Sequence, residues 1–100
     1  MAENSIKMLK DSVNSFINED ALLAKNVCER DSEVDRLLEQ IIKELITFMI
    51  QDSLTIERSM QLIRVAHNFE RIADLSTNIC EDVIYMVEGR VIKHHKEETQ

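Results

Sequence analysis

Between residues 62 and 86 the positions Leu62, Val65, Phe69, Ile72, Ser76, Ile79, Val83 and Met86 recur at alternating intervals of three and four. A strand cannot use that spacing, because its side chains change face at every residue. A helix sets every third and fourth residue on one stripe. A stripe this long predicts a rod of about 30 residues, which must lay its apolar face against other elements. The rest of the chain agrees, since it has no Pro and one Gly and so lacks the turn residues a sheet protein needs. At 100 residues it is one domain with room for a modest core. The expected fold is all-α.

Two further helices follow from the same rule. Ile6, Leu9, Val13, Phe16 and Ile17 predict helix 1 over about residues 4–17. The polar break at Asn18, Glu19 and Asp20 comes next, with Asn18 or Asp20 as N-cap. Helix 2 then runs to about residue 51 on a seam of Val27, Val34, Leu38, Ile41, Leu45 and Phe48. The stretch "QDSLT" interrupts it, and Asp52, Ser53 or Thr55 can cap helix 3. Gly89, the single glycine, stands where a left-handed helix end belongs, with residues 1–90 as the domain and 91–100 as a polar tail. The short link makes helices 2 and 3 antiparallel neighbours in a three-helix bundle. Helix 1 is about half as long, so the turn end, with Phe48, Met49, Ile50, Ile56, Met60 and Ile63, is left short of partners.

Two carboxylate pairs break the helical rule that like charges one turn apart repel, by roughly 0.2–0.5 kcal/mol each. Asp31 and Asp35 form one pair, Glu70 and Asp74 the other. A reversal near Ser53 brings the two pairs to nearly the same height on adjacent rods. Asp31 falls on the stripe of Val27, Val34 and Leu38, and so places a charge in an apolar seam. Crowded carboxylates need compensation: raised pKa values, a bound cation, or pairing with Arg30, Arg36, Arg64 or Arg71. Hard oxygen ligands suit Mg, Ca, Mn or iron. Asn78, one turn past Asp74, can add an amide oxygen, or can be a plain surface or capping residue. A docking surface for a basic partner is the third reading.

Other residues point less far. Cys28 and Cys80 also come level across the hairpin, as buried free thiols or as a redox-sensitive or soft-metal pair. His67 reads as a surface residue, His94 and His95 as part of a solvated tail, and Met49, Met60 and Met86 as filler. Ser76 makes room for a neighbour. The formal charge of -7 argues against nucleic acid and anionic membranes. Apolar runs such as "LITFMI" are too short to span a bilayer, and no secretory leader is expected. Two cysteines without a ligand-spaced set fit a reducing, cytoplasmic setting.

The segments "ERDSEVDRL" and "ERIADLSTNICEDVIYMVEGRV" resemble the two signature segments of the PhoU family, and the likeness extends from "MLKDSVNSFINED" through "EGRVIKH". The resemblance implies a three-helix repeat, of which full-length members carry two, and this chain is most similar to the C-terminal one. It also implies divalent metal, multinuclear iron or another ion such as Mg, Mn, Zn or Ca, at motifs that fall on Asp31, Asp35, Glu70 and Asp74. The implied role is cytoplasmic, non-enzymatic regulation of phosphate uptake, with a phosphate ABC transporter ATPase or a sensor histidine kinase as partner. A homodimer is expected. The chain departs from the family pattern at Leu75, where many members have His, in having one repeat, and in a helix 1 shorter at its start. Two other functions are open. A carboxylate-bridged di-metal enzyme would need Glu-x-x-His pairs, and the chain has none. A metal-free helical oligomerisation or adaptor module would leave the acids as ordinary surface charges.

Overall fold

The computed structural model describes the backbone of residues 1–98 and the side chains of residues 1–90. Its helices are α1 (Ala2–Ile17), α2 (Ala21–Glu29), α3 (Asp31–Gln51) and α4 (Ile56–Glu98), with a 3-10 turn at Ser53–Thr55. These make three antiparallel rods, the middle one bent between α2 and α3. The fold is therefore the expected all-α bundle. His94 and His95 lie outside the residues whose side chains are described.

Local chemistry sets both reversals. Asp20 caps α2, its Oδ1 accepting the Leu23 N–H at 3.0 Å, and Glu19 turns the chain with φ 52. At the second reversal Asp52 Oδ1 accepts the Leu54 N–H at 3.0 Å, while Thr55 Oγ1 donates to the Asp52 carbonyl at 2.7 Å.

Helix 2 is not the single rod the periodicity predicts. At Arg30 the backbone keeps helical φ but has ψ -12, and its N–H bonds the Val27 carbonyl three residues back. Ser32 Oγ donates to the Glu29 carbonyl at 3.3 Å beside the bend. The Arg30 side chain meanwhile reaches Asp11 of α1 at 2.7 Å and Asn26 at 2.7 Å. Side-chain contacts flank the bend on each side.

Gly89 does not end helix 3. No glycine has positive φ, and α4 continues through Gly89 to Glu98. Nothing lies within 4 Å of the place a Cβ would occupy there, so neither a turn nor a close approach requires glycine.

The core is narrower and made of smaller side chains than the apolar seams predict. Met8, Ala24, Val27, Val34, Ala73, Cys80 and Val83 form it. On α4 the buried residues are Ser59, Ala66, Ala73, Ser76, Cys80 and Val83, of which Ser59, Ala66, Ala73 and Cys80 fall at intervals of seven, while Ser76 and Val83 belong to the predicted seam. On α1 the buried stripe is Ser5, Met8, Ser12 and Ser15, whereas Ile6, Val13, Phe16 and Ile17 face outward, Ile17 being 67% exposed. The reason is that Ser12 and Ser15 satisfy their own hydroxyls. Each donates at 2.7 Å to the carbonyl three residues earlier, and Ser76 does the same at 2.8 Å to Ile72, four residues earlier. Small, internally bonded side chains let the three rods approach closely, and the large ones are displaced to the flanks.

Beyond Met1 and Ala2 the α3–α4 hairpin continues without a third rod. An apolar groove of about 260 Å³ opens there, lined by Ile41, Leu45, Phe48, Leu62, Val65 and Phe69 among others. The end that helix lengths leave short of partners is indeed open: Phe48 is 56% exposed and Leu54, at the tip, 90%.

Candidate functional site

Asp31 is the first residue of α3, so the bend at Arg30 decides where its carboxylate points. The side chain is half-buried, and its Oδ1 is sealed from solvent with no hydrogen-bond partner. Burial pushes the Asp31 carboxyl above the usual carboxylate range. The charges of Asp35, Asp74, Glu70 and Glu81 push it the same way. A carboxylate in the first turn of a helix is favoured by about 0.3–1 kcal/mol through the helix dipole, but here desolvation and like charge win. Asp31 feels Glu70 and Asp74 from the opposite rod, so the reversal near Ser53 brings the acids of both rods to one edge.

Along that edge Glu70 is half-buried, while Asp35, Asp74, Asn78 and Glu81 are exposed. None of the arginines available to neutralise it does so. Arg30 pairs with Asp11 at 2.7 Å and Arg36 with Glu33 at 2.6 Å, while Arg64 and Arg71 form no ion pair among the described residues. Lys25 pairs with Glu88 at 2.9 Å, further along α4. Among the described residues the cationic candidate is His67, whose Nδ1 lies 3.7 Å from Glu70 Oε1, beyond hydrogen-bond range and attractive only when the ring is protonated. His67 is a surface residue as the sequence suggests, but its neighbour is Glu70.

The oxygen donors and the orphaned Asp31 Oδ1 suit a hard cation in chemistry. In geometry the site is looser. Among the described residues no three His, Cys, Asp or Glu side chains converge closely enough to hold one ion. Asp35 and Asp74 are exposed and can swing without disturbing the core.

Glu81 is the member that sequence reasoning missed. It follows Asp74 by seven residues, two turns along the same stripe, and that interval was the available signal. Also unforeseen is a polar cleft of about 390 Å³ between α1 and the bend, lined by Asn4, Lys7, Asp11, Asn26, Arg30 and Glu33. Its two cations and two anions balance, so its charge selects no ligand.

Cys28 and Cys80 are both free, the first half-buried and the second fully buried. Burial raises both thiols, and Glu81 and Asp31 raise Cys28 further. Among the described residues no helix is long and apolar enough to cross a membrane.

Comparison with known proteins places these features. The PhoU domain family model matches residues 1–83. A phosphate-specific transport system accessory protein PhoU homolog of Aquifex aeolicus is 47% identical over 94 residues, covering 94% of this chain and 42% of that protein. PhoU homolog 2 of Thermotoga maritima is 36% identical over 98 residues, covering 98% of this chain and 42% of its own. The phosphate-specific transport system accessory protein PhoU of Escherichia coli is 34% identical over 94 residues, covering 94% and 39%. The chain thus spans about two fifths of the length of the curated relatives it matches, and it belongs to the PhoU family.

Proposed function

We propose that the chain is a non-enzymatic, cytoplasmic regulator of phosphate uptake that works by protein contact and carries a divalent cation on its acidic edge. The names of the relatives, phosphate-specific transport system accessory proteins, support the process. A phosphate transporter ATPase or a sensor histidine kinase is the partner that the family resemblance implies. The cation rests on one observation above all: a half-buried Asp31, with an orphaned oxygen, feels the charges of Asp35, Glu70, Asp74 and Glu81, and among the described residues none of these acids is paired with an arginine or lysine. An ion such as iron, Mn, Mg, Zn or Ca would draw Asp31, Asp35, Glu70 and Asp74 together, with Asn78 at the rim. The apolar hairpin end is the face for a second copy of the chain.

Two measurements test this reading. Elemental analysis of protein purified without chelator reports the ion. Melting curves against added Mn²⁺ or Mg²⁺ report linkage, because only the folded hairpin gathers the ligands; a hundredfold excess over Kd stabilises by about 2.7 kcal/mol. Capture of a phosphate transporter ATPase from a lysate by the tagged chain tests the contact. No ion, no shift and no ATPase together defeat the proposal.

The loose spacing of the carboxylates favours one rival, a metal-free adaptor. Exchanging Asp35 and Asp74 for Asn separates the two. Unchanged ion response and partner capture would leave the acids as ordinary surface charges.

A further inference from the structure

We propose that Cys28 and Cys80 are a modification site: they close a reversible disulfide within one chain, tying α2 to α4, when a low-molecular-weight disulfide oxidises the protein. The geometry carries this. Cys28 sits in the last turn of α2, and its Sγ lies 4.0 Å from the carbonyl oxygen of Thr77, one turn before Cys80 on α4. The Cys80 thiol lies 3.9 Å from Ser15 Oγ of α1, and Cys28 packs against the buried cluster that contains Cys80. A disulfide needs its two Cα atoms within about 7 Å, which bulky neighbours on packed helices forbid. Small side chains share this region: Ser15 touches Cys80, and Ala24 and Ala73 belong to the same buried cluster.

Unequal exposure orders the chemistry. Cys28 is reachable from solvent and Cys80 is not. The Cys28 thiolate attacks one sulfur of the small disulfide, forming a mixed disulfide and releasing one small thiol. The Cys80 thiolate then attacks Cys28 Sγ, closing the internal bond and releasing the second. The two protein thiols together give up two protons and two electrons, and the small disulfide takes them up as two thiols. The closed bond pins the last turn of α2 to α4, two residues before the bend at Arg30 that aims Asp31. Nothing in this inference depends on the proposed regulatory role.

Oxidised glutathione acting on the full chain tests it. In the unaltered protein both titratable thiols disappear together, the intact mass loses two hydrogens, and a peptide joining Cys28 to Cys80 is found without reduction. Cys80→Ser stops at a lasting glutathione adduct on Cys28, while Cys28→Ser keeps a thiol that is modified only on unfolding. Cys80→Ala serves if the serine variant folds poorly. The oxidised form melts at a higher temperature, and dithiothreitol restores the original value. An unaltered protein that stops at the glutathione adduct with Cys80 still free, or that links only between two chains, overturns the proposal.

Discussion

At Asp31 the same carboxylate gives two opposite pH dependences, according to whether an ion is present. Without one, its folded pKa stands above the unfolded value, so the folded state holds the proton more tightly. Stability is then gained as pH falls from neutral through the raised value, and is complete below the ordinary carboxylate range. Asp35, Asp74, Glu70 and Glu81 are the charges that face it. Asp31→Asn removes both the buried charge and the repulsion while keeping the side-chain shape. With chelator present, the variant should melt above the parent at pH 7 and lose most of the gain the parent shows on mild acidification. A variant that melts lower at pH 7 would mean that the dipole at the head of α3 outweighs burial after all. With an ion bound the sign reverses: the ionised form is the ligand, so ion-linked stability fades as the pH drops.

The reversals show what an element-level reading captures. Asp20 bonds the Leu23 N–H at the start of α2 and is exposed, so Asp20→Ala removes a cap without touching the core. Urea denaturation should show a loss of about 1 kcal/mol, and Asp20→Asn should retain most of it. Both turns were legible in the sequence because their signals are local: a short polar side chain beside the first free N–H groups. The bend at Arg30 was not, since "ERDSEVDRL" contains neither Pro nor Gly, and one of the contacts beside it reaches Asp11 on another rod. Gly89 misled for the converse reason, as a residue able to end a helix is not obliged to. The α1 seam was misread because large apolar residues were assumed to face inward. The close approach of the rods instead selects Ser5, Ser12 and Ser15, which periodicity of apolar residues cannot reveal. The relative height of the acids depends on where the chain reverses near Ser53, a position that local polar residues mark. Glu81, on the same stripe, needed only one more heptad.

The proportions of the whole molecule bear on its assembly. A compact 100-residue domain has a radius of gyration of about 13 Å, but this chain has 18.8 Å and extends over 71 × 18 × 14 Å. So thin a rod cannot enclose its apolar residues. Ile46, Phe48, Ile50, Leu54, Ile56, Met60, Leu62 and Val65 are all at least 44% exposed around the hairpin end. Burying a side chain of this size removes on the order of 100 Å² of apolar surface from water, so the eight offer several hundred Å². Of these Phe48, Leu62 and Val65 line the groove, so two copies meeting through it would bury several hundred Å² in total, below the usual size of a stable specific interface. A pair of that size is expected to be reversible and concentration-dependent. Sedimentation equilibrium should therefore show a monomer–dimer equilibrium, and Phe48→Glu or Leu62→Glu should shift it to monomer. Both side chains line the groove and are more than half exposed, so the charge costs the monomer little; unchanged melting would confirm that the fold survives. A chain that stays monomeric at every concentration would assign this end to a different partner. Persistence of the dimer in both variants would move the contact to the outward face of α1, where Val13, Phe16 and Ile17 supply the alternative apolar surface.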